Sequence, residues 1–394
     1  MDLRAQLRAM HQDAVKKPSP APAPPARGCF RRDTLLPLSG FPGAFELDTE
    51  ALRRMAEDPK AVAEGRHLPL PETIDPKRIL YLDTETTGLS GGAGTIAFEV
   101  GLGWLGPEGF TVRQLVMRDY PEEGALLKEV ADIAQGCEVM CTFNGRTFDL
   151  PLLESRFLMN RIRTSCLDKP HIDLLHIARR VFRLRLGQCN LTRLEEAVLG
   201  QERTDDLPGA EVPRRFFDYT KSRDFSLLED VLRHNLQDIA SLQVLLNRMT
   251  SLFAHPETAG HGADILSMGV ALERFRHGEE ARDCYRLVPT GRWHADGQTR
   301  LAQSLRRAGE QEAAREVWLG MISRREGGIT PYVELAKIYE HQDRDYDAAL
   351  EMTRRAMVLL AERALLDAGA VQADQNALQY RYDRLRRKRS GRED

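Results

Sequence analysis

The stretch Ile79 to Leu89, reading ILYLDTETTGL, constrains this chain more than any other. Ile79 to Leu82 form a short apolar run that reads as a buried strand. It ends on Asp83 and Glu85 and then meets a Thr86-Thr87-Gly88 turn. Residues two apart on a strand face the same way, so both carboxylates leave the strand end together. Like charges at that separation disfavour one another, and folding gains nothing from the pair unless something neutralises it. A hard divalent cation is suited to that role, since Mg²⁺ favours one or two carboxylates together with substrate phosphate oxygens. Taken alone, the same residues also read as a strand end carrying two solvated acids.

The surroundings of this stretch read as α/β. The segments 96–105 and 110–117 read as two further strands joined by the hairpin turn Gly106-Pro107-Glu108-Gly109. A helix over 122–135 and a strand over 138–143 follow, then Asn144-Gly145-Arg146-Thr147-Phe148-Asp149. A helix continues from Leu150, with Pro151 in its first turn, where proline is tolerated. His171 to Leu174 reads as a last short strand, and 175–249 as helical. Three antiparallel-type strands followed by alternating helix and strand predict a mixed sheet with helices on its faces, over 75–250.

Two further groups carry chemistry. Asp149 opens a helix directly after a strand, at the kind of sheet edge where α/β proteins place their sites. A helix N-cap is the plainer reading of that aspartate. His234 and Asp238 lie four residues apart in Arg233-His234-Asn235-Leu236-Gln237-Asp238, on one face of a helix. A surface hydrogen bond is the plainer reading of that pair.

Acid-x-acid at a first strand end, Asn-x4-Asp at a strand-to-helix junction and His-x3-Asp on a late helix occur here in that order. Together they resemble the DEDD superfamily of 3′→5′ exonucleases, which have a ribonuclease H-like fold, over about 78–246. DTETTGL at 83–89 and NGRTFDLPLL at 144–153 are the most specific parts. The stretches SGGAGT, LTRLEEAVLG and DDLPGAEVP resemble the narrower group of bacterial YprB-type ribonuclease H-like proteins. The resemblance implies that Asp83, Glu85, Asp149 and Asp238 hold two divalent cations, Mg²⁺ or Mn²⁺, as the metal set of an in-line phosphodiester displacement. It implies that His234 accepts the proton of the attacking water or orients it. It also implies substrate contacts at Thr86, Gly88, Leu89 and Asn144, with Leu89 packing on the terminal base. One feature departs from the pattern: relatives with histidine usually place it five residues before the last aspartate, and those with four-residue spacing usually carry tyrosine. One residue is about 100° of helix rotation, so His234 aims differently from the better-known catalytic histidine.

Beyond Phe253 the periodicity changes. Ala281, Ala314 and Ala349 recur in three similar segments, at intervals that bracket the 34-residue helix–turn–helix repeat. The region 262–390 resembles tetratricopeptide repeats and implies a protein partner. An unrelated helical bundle is the alternative. The run Arg381 to Arg389 reads as a solvated basic helix end or a nucleic-acid contact. Arg179, Arg180, Arg183 and Arg185, with Phe182 among them, read as phosphate contacts or as a solvated helix face. Residues 1–70 read as an N-terminal region with a mobile Pro-rich linker and no chemistry.

The expected fold is thus an α/β ribonuclease H-like domain followed by an all-α helical-repeat domain. The expected function is a metal-dependent 3′→5′ exonuclease acting on single-stranded DNA or RNA. A nucleic-acid-binding scaffold and a structure-specific endonuclease are the alternatives. The net charge of −3 leaves nucleic-acid binding to local basic patches. Six scattered cysteines, the absence of a signal-like N-terminus and the absence of an apolar run of about 18 residues point to a reduced, cytoplasmic setting without a membrane.

Overall fold

The computed structural model describes residues 28–41, 43–88, 94–203, 207–364 and 372–391. Leu89, the Ser90–Ala93 part of SGGAGT, Asp205 and Asp206, and the Pro-rich linker expected before Gly28 lie outside the described residues. The chain divides into two units, 1–258 and 259–394.

The first unit is built on a six-stranded mixed sheet in the order β1-β4-β3-β2-β5-β6. The strands are β1 (Phe30–Pro37), β2 (Ile79–Thr86), β3 (Ala97–Leu105), β4 (Gly109–Val116), β5 (Val139–Thr142) and β6 (His171–Asp173). The pairs β1–β4, β4–β3 and β3–β2 are antiparallel, whereas β2–β5 and β5–β6 are parallel. Strand β2 therefore runs through the middle, and Ile79 to Leu82 are buried. The mixed sheet expected over 75–250 is present. The sequence reading found no strand in 31–70, and this is corrected: β1 is the edge strand. Its burial alternates between exposed and half-buried until Leu36. This polar edge pattern, FRRDTLLP, lacks the apolar run by which the other strands were read. Arg32 pins it to the rest of the unit with a two-pronged ion pair to Glu229, at 2.8 Å on each arm.

The helices are α1 (Thr49–Ala56), α2 (Glu123–Gln135), α3 (Asp149–Met159), α4 (Leu174–Leu186), α5 (Val212–Ser222) and α6 (Glu229–Ala254). Asp48 caps α1 by accepting from the Ala51 amide at 2.8 Å. The 26-residue α6 lies across β3. Val231, Leu232, Asn235, Ile239, Leu242, Leu245 and Leu246 form its buried stripe. Two glycines of β3 let it approach: a Cβ on Gly101 would meet Asn235 Oδ1 at 2.1 Å, and one on Gly103 would meet Ile239 Cγ2 at 2.5 Å. Helix α5 packs through Phe216, which stacks on Phe98 of β3 with ring centroids 4.3 Å apart.

The second unit is all helical: α7 (Gly262–Arg274), α8 (Gly278–Leu287), α9 (His294–Arg307), α10 (Gln311–Ser323), α11 (Thr330–Ile338), α12 (Tyr346–Ala364) and α13 (Gln372–Ser390). Each helix packs against its neighbour in the chain. Ala281, Ala314 and Ala349 lie on α8, α10 and α12 and are fully buried. The basic run at the end is largely spoken for inside this unit. Arg381, Arg384 and Lys388 of α13 all bind the buried Glu340, at 3.1, 2.6 and 2.8 Å. Among the described residues no helix is long and apolar enough to cross a membrane.

The close approach at Gly101 makes a direct prediction. Gly101→Ala is expected to destabilise the fold by about 1–3 kcal/mol through overpacking. Truncating the obstructing side chain in the same protein, Gly101→Ala/Asn235→Ala, is expected to cost less than the sum of the two single changes. Chemical denaturation of the four proteins checks this, and strict additivity would contradict it.

Candidate active site

The carboxyl ends of β2, β5 and β6 meet at one edge of the sheet. Asp83 and Glu85 sit near the end of β2, where they pair across to Gly101 and Glu99 of β3. A β-bulge follows at Glu85/Thr86, the kind of irregularity that re-aims side chains. Asp149 opens α3 just after β5 and is 4% exposed. His234 and Asp238 come from α6, the helix that Gly101 and Gly103 admit. The nearness of the groups shows in their charges. Burial, then the Asp238 and Asp149 carboxylates, holds Asp83 well above the usual carboxylate range, against the pull of the Asn235 amide. Burial, then Asp83, does the same to Glu85, with Glu99, Asp238 and Asp149 adding to it. Burial lifts Asp149 to about 6, against the hydroxyl of Thr84 and its own backbone amide.

Each aspartate accepts a side-chain hydrogen bond from a neighbour. Asn235 Nδ2 donates to Asp83 Oδ2 at 3.0 Å. Thr84 Oγ1 donates to Asp149 Oδ1 at 2.5 Å. Arg203 Nη2 donates to Asp238 Oδ1. The ring of His234 stands between the acids, with Nε2 3.4 Å from Asp238 Oδ2 and 3.8 Å from Glu85 Oε1.

The loop that delivers Asp149 is held by Asp173 at the end of β6. Its Oδ1 accepts from the Asn144 amide at 2.9 Å and the Leu175 amide at 3.1 Å, and its Oδ2 from the Arg146 amide at 3.1 Å. Asn144 adopts a left-handed φ of 69°, and its side-chain oxygen accepts from Thr147 Oγ1 at 2.9 Å. Its side chain thus braces the second motif. A Cβ on Gly145 would meet Thr142 Oγ1 at 2.4 Å, so the turn needs glycine there. Thr86 Oγ1 donates to the Gly88 carbonyl at 2.7 Å, closing the Thr-Thr-Gly turn on itself. Of the basic stretch on α4, Arg180 donates to the Met55 carbonyl at 3.1 Å, Phe182 is buried, and Arg179 and Arg183 are exposed.

The structure therefore brings Asp83, Glu85, Asp149, His234 and Asp238 together. Thr86 and Gly88 flank them, and Leu89 lies outside the described residues. Among the described residues no group of three or more His, Cys, Asp or Glu side chains is placed to hold a metal ion. The donor chemistry nevertheless fits a hard cation, because all four acids offer oxygen and the Asp83–Glu85 repulsion stands to be relieved by one.

Several residues that matter here escaped the sequence reading. Asn235 is a fully buried amide on the inward stripe of α6, and a polar residue on that stripe is the signal that marks it. Behind it, Gln114 Nε2 donates to Glu99 Oε1 at 2.8 Å and to the Leu232 carbonyl at 2.7 Å. Thr84 and Arg203 meet Asp149 and Asp238 from 65 and 35 positions away, and Asp173, which reads locally only as the cap of α4, holds the Asn144 loop from 29 positions away.

Acids on a mixed sheet of this order, faced by a late helix, define a ribonuclease H-type domain. A family model described as the RNase_H superfamily matches residues 80–250. The Bacillus subtilis (strain 168) protein described as uncharacterized protein YprB is 30% identical over 325 residues, which cover 79% of this chain and 75% of that one. The chain belongs to the YprB family. Among solved structures, the family B DNA polymerase of the hyperthermophilic archaeon Pyrobaculum calidifontis aligns with a TM-score of 0.35 and 14% identity. That alignment covers 52% of this chain and 29% of the polymerase.

Glu99 makes the electrostatic cost of this region measurable. Burial raises it to about 8, against the Gln114 hydrogen bond and the charge of Arg32. A carboxyl raised on folding stabilises most at low pH, and that stability is lost as pH rises through the folded value. Between pH 6 and 9, Glu99 alone is expected to remove ~3 kcal/mol. Glu99→Gln should flatten the fall by that amount in urea unfolding at the two pH values, with chelator present. Equal slopes for the two proteins would contradict the assignment.

Proposed function

We propose that this protein is a metal-dependent nuclease, a 3′→5′ exonuclease that hydrolyses phosphodiester bonds of DNA or RNA. The observation that carries the reading is the crowding of Asp83, Glu85, Asp149 and Asp238. These four carboxylates come from three separate elements, and desolvation first, then their mutual repulsion, raises Asp83 and Glu85. Such an arrangement persists when a cation and a substrate phosphate use it. Asp83, Glu85, Asp149 and Asp238 would hold two divalent ions, Mg²⁺ or Mn²⁺. When bound, the ions supply Lewis acidity at the phosphate and lower the pKa of an attacking water.

Beside the turn at Gly88 runs a groove of about 630 Å³ along the outer face of α5. Arg214, Phe217 and Lys221 line it, at helical spacings that place them on one face, together with Asp218, which lies 3.6 Å from Arg214. An exposed ring between two cations suits a single strand, where bases stack and phosphates meet positive charge. This supports a single-stranded substrate led toward Asp83 and Glu85. We assign partner binding to the helical unit, on the strength of its neighbour-on-neighbour packing.

A nucleic-acid-binding scaffold is the second reading, and the hold of Arg203 on Asp238 favours it. A guanidinium there already satisfies a carboxylate that a metal would need.

The test is degradation of 3′- and 5′-labelled single-stranded DNA and RNA with Mg²⁺ or Mn²⁺. Wild type is compared with Asp83→Ala and Asp238→Ala, with a chelator control. The expected outcome is metal-dependent shortening from the 3′ end, reduced at least about 10³-fold in both variants. Cleavage of circular strands would mean an endonuclease. Intact substrate with binding unchanged in all three proteins would favour the scaffold. For the groove, Phe217→Ala is expected to weaken single-strand binding by about 1–3 kcal/mol, chiefly as a rise in KM. An unchanged KM would remove the groove from the substrate path.

A further inference from the structure

Arg203 is the most deeply engaged cation beside the site. Its side chain is 3% exposed and that of Glu195 is fully buried. Nε donates to Glu195 Oε2 at 2.5 Å and Nη2 to Glu195 Oε1 at 2.7 Å. Ser241 Oγ, from α6, donates to the same carboxylate. Glu195 opens a π-helical turn, Glu195–Leu199, which Gly200 closes in the left-handed conformation at φ 68°. The chain then doubles back, and Arg203 returns beside the glutamate. With Glu195 gripping one side of the guanidinium, two contacts reach the candidate site. Nη2 donates to Asp238 Oδ1, and Nη1 lies 3.2 Å from His234 Nδ1.

A guanidinium donates and cannot accept. In its hydrogen bond to Arg203, Nδ1 of His234 is therefore the acceptor, and in the neutral ring the proton belongs to Nε2. That nitrogen faces Asp238 Oδ2 and Glu85 Oε1, both acceptors when ionised. The two sides of the imidazole agree on one tautomer: acceptor toward Arg203, donor toward the acids.

We infer that Arg203 is a positioning residue that fixes His234 in the Nε2–H tautomer, so that this histidine meets the acids and the substrate as a hydrogen-bond donor rather than as the base that takes a proton from water. The inference rests on the nuclease reading for its consequence, since a ring with Nε2 already protonated orients groups and leaves deprotonation to others. Lysine cannot replace the arginine in this task. It is a point charge without the planar fork that serves Glu195, Asp238 and His234 together.

The tautomer can be read without any turnover. In the chelated full-length protein at pH 8, with ¹⁵N-labelled histidine, the two ring nitrogens give distinct shifts and couplings. The His234 signals among the 10 histidines are assigned by their loss in His234→Gln. The expected result is a protonated Nε2 and an unprotonated Nδ1 in wild type. Arg203→Lys, which keeps a charge beside Glu195, should yield a mixture of tautomers. The double change Glu195→Met/Arg203→Met removes the buried pair together and should do the same, should the lysine variant fail to fold. A wild-type ring protonated at Nδ1, or a tautomer unmoved in a folded variant, would overturn the inference. Failure of every cleavage assay would strike the nuclease reading and leave this spectroscopic result standing.

Discussion

Everything at the candidate site follows from one electrostatic burden: carboxylates brought together at the end of a buried strand. Asp83 and Glu85 share one face of β2, and Asp149 and Asp238 are close enough to add to their repulsion. Burial makes this worse, because the low-dielectric surroundings that strengthen attraction strengthen repulsion too. The protein answers with specific hydrogen bonds: an amide for Asp83, a hydroxyl and backbone amides for Asp149 and a guanidinium for Asp238. Only the last brings positive charge. Under the nuclease proposal a bound cation would relieve the repulsion that remains, and this is the physical content of that proposal.

The geometry that creates the burden depends on how closely α6 can lie against the sheet. Helix and strand side chains normally hold the backbones apart, but β3 presents Gly101 and Gly103 where the helix crosses. Asn235 fills the space at Gly101 and reaches Asp83, while Gln114 and Glu99 complete a buried polar chain behind it. Buried polar groups of this kind are tolerated when every member has a partner, and costly when one is lost. Packing and chemistry are therefore not separable here: the glycine that admits the helix also places the amide that orients the aspartate.

The acid-x-acid strand end, the strand-to-helix aspartate and the helix-borne pair were legible because each is local in sequence. So was most of the sheet, since β2 to β5 carry apolar runs set off by a hairpin turn or by helices. Strand β1 was not legible, because an edge strand with one polar face and a half-buried other face resembles a loop until its partner β4 is known. The basic run at 381–389 shows the opposite failure. Read locally it offers free cations, yet the buried Glu340, about 40 positions upstream, takes three of them. The contacts of Thr84 and Arg203 at the site, and that of Asp173 with the Asn144 loop, were silent for the same reason, since each partner is distant in sequence.

Arg203 shows what such a distant contact can decide. A buried arginine–glutamate pair is a weak source of stability, because desolvation offsets much of the attraction. Its value here is geometric. The planar guanidinium spends two donors on Glu195, which fixes its plane, and that plane then fixes where the remaining donors point. One points at Asp238 and one at His234, two residues that the helix already sets four apart. The helix places both Cα atoms on one face, and it does not choose a rotamer or a tautomer. Arg203 supplies that second level of order from outside the helix. On the inference drawn above, a residue beyond the motif selects which ring nitrogen carries the proton, a choice that motif spacing alone does not make.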